Sequence, residues 1–70
     1  MNLWINGSRH VFEVLPADCL SVAQVVSQLG WPTQRVAVEL NGQVVPQNEH
    51  KSTDVKHDDK MEIVTLIGGG

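Results

Sequence analysis

Little in this chain points to secretion, membranes or nucleic acid. It has a single cysteine, Cys19, which cannot form an internal disulfide and fits a reducing compartment, so a cytoplasmic location is expected. No apolar run approaches the roughly 18 residues of a membrane span, and no charged leader precedes an apolar stretch, so neither a span nor a secretory signal is expected. The five basic residues (Arg9, Arg35, Lys51, Lys56 and Lys60) are scattered through a chain of net charge −3. No cluster of them offers the footprint that a phosphate backbone requires, so nucleic acid is not an expected partner. His10, His50 and His57 lack ligand-like spacing and fall in separate segments, and "H-D-D" at 57–59 reads as a solvated turn, so no metal site is expected. No glycine loop leads into a helix, so the chain should bind no ATP or other cofactor by itself. Ser21 has no accompanying base or oxyanion feature, and no catalytic residue is expected.

What is present fits one small domain spanning residues 1–70, with 41% hydrophobic and 19% charged residues. A chain of this length buries only about 60% of its unfolded surface. That leaves room for a thin core and a surface site, but hardly for an enzyme pocket of about 300–1,000 Å³.

"L-W-I-N-G-S-R-H-V-F-E-V" predicts a β-hairpin, because Asn6-Gly7 suits a two-residue type I′ turn. The turn pairs Ile5 with Ser8, Leu3 with His10 and Met1 with Phe12, so Met1, Leu3, Ile5, Phe12 and Val14 share an apolar face. Trp4, Asn2, Arg9, Val11 and Glu13 fall on the other. "R-V-A-V-E-L-N-G-Q-V-V-P" repeats the signature at Asn41-Gly42, with Val36, Val38, Leu40 and Val45 on one face and Ala37, Glu39 and Val44 opposite. Pro46 cannot donate to a ladder, so the second strand is an edge or stops there. Between the hairpins, Ser21 and Gln24 form a capping box, and Val22, Val25, Val26 and Leu29 recur at the spacing of one buried helical stripe. Gly30 ends that helix, Pro32 forbids its resumption, and Trp31 should pack on the last turn near Val26. Cys19 is expected as a small, half-buried residue before the cap. "Q-N-E-H-K-S-T-D-V-K-H-D-D-K" is a polar connection with room for one short helical turn, and Asp58-Asp59 turns into the final strand.

That strand, Met61 to Ile67, places Met61 and Ile63 against Glu62, Val64 and Leu66. Apolar on both faces, it belongs in the middle of a sheet. One helix covers one sheet face, so the other stays open. Trp4, Val11, Ala37, Val44, Val64 and Leu66 should form a partner-binding surface there, flanked by Glu39 and Glu62, which could meet basic residues on the partner.

Together, "M-N-L-W-I-N-G", "V-A-V-E-L-N-G-Q-V-V-P" and "M-E-I-V-T-L-I-G-G-G" span essentially the whole chain. Their order and spacing resemble the ubiquitin-like β-grasp sulfur carriers, most nearly the ThiS family of thiamine biosynthesis. The resemblance implies an α+β fold: a mixed sheet of four to five strands in the order 2-1-5-3-4, one main helix on one face, and a flexible glycine tail at 68–70. It also implies a function. A ubiquitin-activating-type adenylyltransferase, using ATP and Mg²⁺, would adenylate the carboxylate of Gly70. Sulfur from a cysteine desulfurase relay would convert the adenylate to a thiocarboxylate, and thiazole synthase would accept it. Gly69 and Gly70 match the shared tail pattern, with Gly68 preceding them. The chain would be a carrier and not an enzyme, monomeric when alone.

Three function classes follow. The first is a thiamine-pathway sulfur carrier. The second is a carrier of another pathway, such as a molybdopterin-synthase small subunit, a cysteine-forming carrier or a protein-modifying relative. The third is a β-grasp binding module whose tail carries no chemistry.

Overall fold

The computed structural model describes residues 1–14, 19–32 and 35–65. Two Asn-Gly turns frame it. Asn6 and Asn41 have φ of 52° and 51°, and Gly7 and Gly42 have φ of 84° and 85°. Two successive positive φ values are what a type I′ turn demands, and its twist matches that of the strands it joins. The first turn connects β1 (Asn2–Ile5) to β2 (Ser8–Val11), with Ile5 opposite Ser8 and Leu3 opposite His10 as expected. Met1 and Phe12 extend the pairing by exchanging two backbone hydrogen bonds of 2.8 Å. After β3 (Leu20–Ser21) and α1 (Val22–Gln28), the second turn joins β4 (Val36–Leu40) to β5 (Gln43–Val45). A 3-10 turn (Gln47–Glu49), β6 (Asp54–Val55) and β7 (Lys60–Thr65) follow.

The main sheet runs β2-β1-β7-β4-β5, with β7 parallel to β1 and antiparallel to β4. With the two short strands set aside, this is the expected order, and the two-sided apolar strand is central. β5 is both an edge and terminated before Pro46. The short strands β3 and β6 form a separate two-stranded ladder that the sequence did not suggest. Two residues are too few to display an alternating period.

The helix ends are built as the sequence predicts. Ser21 Oγ accepts from the Gln24 amide at 3.1 Å while Gln24 Oε1 accepts from the Ser21 amide at 2.8 Å. The amides of Val22 and Ala23 donate to the carbonyls of Thr53 and His50, both at 2.8 Å, so the first three helical donors are occupied within the chain. At the other end Gly30 has φ of 80°, its amide donates to Ser27, and the amide of Trp31 reaches the Val26 carbonyl at 3.2 Å. This is a Schellman motif, and it places Trp31, half-buried, against the core.

Leu3, Ile5, Phe12, Val36, Val38, Met61 and Ile63 join Val22, Val25 and Val26 in one buried cluster. Two residues depart from expectation. Cys19 is exposed rather than half-buried, because the buried positions of β3 begin one residue later at Leu20. His50, assigned to a polar connection, is buried: its ring contacts the Val45 carbonyl through Nε2 at 3.0 Å, and its own carbonyl caps α1. The connection is polar in sequence but folds over the helix start.

Candidate functional site

The pleat that buries Met61 and Ile63 turns their neighbours to the other side of β7. With β7 central, this open face takes residues from all five strands of the main sheet. Across it, Arg9 of β2 lies opposite Trp4 of β1, which lies opposite Lys60 of β7. One step along, Glu62 lies opposite Glu39, which lies opposite Val44. The next row pairs Val64 with Ala37.

The predicted surface residues share this face but do not merge into one apolar patch. Val64 is 57% exposed beside half-buried Ala37, and Val44 is 71% exposed beside Glu39. Trp4, 39% exposed, lies between two cations, with exposed Val11 diagonal to it on β2. It borders a shallow depression of about 270 Å³ that Gly7, Lys60, Met61 and Glu62 also line. Leu66, Gly68, Gly69 and Gly70 lie outside the described residues.

The electrostatics of this face are uneven. Glu39 and Glu62 are both exposed and directly opposed across the ladder, where Cβ atoms sit about 4.5–5.5 Å apart and like charges destabilise. Arg9 and Lys60 occupy the neighbouring row. The charged frame around Trp4 was not part of the predicted surface, although the hairpin register already placed Arg9 beside it.

A larger hollow of about 550 Å³ lies beside α1, lined by Ser21, Ala23, Gln24, Ser27, Lys51 and Asp54. The Ser21 hydroxyl and Gln24 side chain there are already engaged in the helix cap. Among the described residues, no three His, Cys, Asp or Glu side chains gather in a way that could hold a metal ion. None of the described helices is long and apolar enough to cross a membrane.

Known proteins match the whole of this layout. A crystal structure of a thiamine biosynthesis protein (ThiS) from Geobacter metallireducens superimposes with a TM-score of 0.79 at 37% identity, covering all of both chains. The chain is 37% identical to a thiazole synthase of Paramagnetospirillum magneticum over 70 residues, all of this chain but 20% of that protein. It thus spans about a fifth of the length of that relative. It is also 34% identical to the uncharacterized protein ycf40 of Porphyra purpurea, covering 93% of it. The family model that matches, over residues 5–70, is that of the ThiS family, and with a full-length structural neighbour of the same description the chain belongs to the ThiS family.

Proposed function

We propose that this chain is a sulfur carrier of thiamine biosynthesis whose working group is the main-chain carboxylate of Gly70. A carboxylate is a poor electrophile until one oxygen becomes part of a good leaving group. On an activating adenylyltransferase with ATP and Mg²⁺, a Gly70 oxygen bonds to the α-phosphorus and pyrophosphate departs. The terminal sulfur of a persulfide on a cysteine desulfurase relay then bonds to the carbonyl carbon as AMP departs, and a thiol cleaves the resulting acyl disulfide, leaving the Gly70 thiocarboxylate and a disulfide on the relay. Thiazole synthase accepts that sulfur; the likeness to part of a thiazole synthase supports this pairing.

Gly69 and Gly70 have no Cβ, so the backbone can enter a narrow channel and approach a nucleotide closely. Ordering these residues costs about 1–2 kcal/mol each, which docking of the open face around Trp4, Val44 and Val64 offsets. The chain is then the substrate of its partners, and it supplies no catalytic residue.

The observation that carries the proposal is the ThiS-family match through residue 70, glycine tail included. The test is an intact-mass spectrum after incubation with the activating enzyme, ATP and sulfide. Exchange of one oxygen for sulfur, localised to Gly70, is the expected result. An unchanged mass with active enzyme, or sulfur located elsewhere, overturns it.

A further inference from the structure

Asn6 does more than turn the chain. In a parallel ladder, β1 would continue past Ile5 by offering a peptide carbonyl to the Ile63 amide and a later amide to the Ile63 carbonyl. The backbone cannot do so, because it leaves the sheet at the left-handed Asn6. The side chain takes over. The Asn6 amide nitrogen of the main chain donates to the Met61 carbonyl at 2.9 Å, which is the last true rung. Its Oδ1 then accepts from the Ile63 amide at 2.8 Å, and its Nδ2 donates to the Ile63 carbonyl at 3.0 Å. A carboxamide has the donor and acceptor geometry of a peptide group, so it serves as one more rung of the ladder.

The position of this rung matters. β1 pairs with β7 only as far as Met61, whereas β4 accompanies β7 to Thr65. Asn6 is therefore what holds the last part of β7 from the β1 side, immediately before the segment leading to Gly70. We propose that Asn6 is a positioning residue for the end of β7: by clamping Ile63 it holds the last described stretch of the strand in place, and hence the delivery of the Gly70 carboxylate. This rests on the sulfur-carrier reading above.

The test uses the full chain carrying N6G, which keeps the left-handed turn accessible while removing the carboxamide. Amide hydrogen exchange at Ile63, measured without any enzyme, should accelerate about tenfold, the scale of losing one net hydrogen bond. Adenylation by the activating enzyme should show kcat lowered about three- to tenfold with KM within about twofold, because docking is intact and alignment is not. N41G is the comparison: Asn41 makes an equivalent turn but binds Lys60 and Asp59 at the start of β7, so its loss should leave kcat unchanged. N6D keeps the turn but sets a carboxylate oxygen against the Ile63 carbonyl, so it too should accelerate Ile63 exchange and lower kcat with KM nearly unchanged. It decides the matter if N6G does not fold.

Unchanged Ile63 exchange, or a rise in KM with kcat intact, overturns the positioning role, as does an equal kcat loss in N41G. Absence of loading in the unsubstituted chain overturns the sulfur-carrier reading instead, and the exchange result still tests the clamp.

Discussion

The two faces of β7 differ in what covers them. Met61 and Ile63 are each 1% exposed, while Val64, adjacent to Ile63, is 57% exposed. Ile63 and Val64 are both β-branched and both suit a strand, so propensity does not separate them. The helix stripe of Val22, Val25 and Val26 meets one face, and among the described residues no element packs on the other. Residues on the covered face build the core, and in the proposed function those on the open face dock the partner. Substitutions should therefore divide cleanly between stability and loading.

The largest effect on stability should come from Ile63→Ala. It leaves a cavity in the covered face and should cost about 2–5 kcal/mol in urea unfolding, a large share of what a small domain possesses. Next in size is Trp4→Ala on the open face. It should change stability by under about 1 kcal/mol yet raise the KM for adenylation roughly tenfold or more, as expected for a central aromatic contact. A Trp4→Ala chain that loses stability but loads normally would abolish the distinction between faces. Ser21→Ala tests the covered side more gently. Loss of the cap should lower the unfolding free energy by about 0.5–2 kcal/mol with loading unchanged at temperatures well below the midpoint. The smallest effect belongs to Glu39→Gln. Relief of the repulsion with Glu62 should raise stability by a few tenths of a kcal/mol and slow association with a basic partner, a difference that fades as salt rises.

Much of this division is written in the sequence because period-2 alternation and Asn-Gly turns are strong local signals. They placed Val64 with Ala37 and Glu39 with Glu62 on a common face, and the family resemblance supplied the order of the main strands. What escaped was tertiary. Leu20–Ser21 and Asp54–Val55 are too short to show a period, so their ladder is set by the chain folding back over the helix start. His50 is buried by that same return, although Glu49 and Lys51 on either side of it are charged. Asn6 was legible as a turn residue; nothing local to it foretells that its carboxamide would meet Ile63, distant in sequence. The tail was legible as glycines, and its proposed role rests on the family resemblance. The hollow beside α1 was not foreseen at all.

The most direct trial compares the full chain with one lacking Gly70, each incubated with activating enzyme, ATP and sulfide and examined by intact mass. Removing one residue shortens the tail by about 3.3–3.6 Å while leaving both faces of the sheet untouched. The full chain should accumulate the thiocarboxylate and the shortened one should remain unmodified, although both dock. Equal sulfur loading of the two would contradict the assignment of Gly70 as the group that is activated.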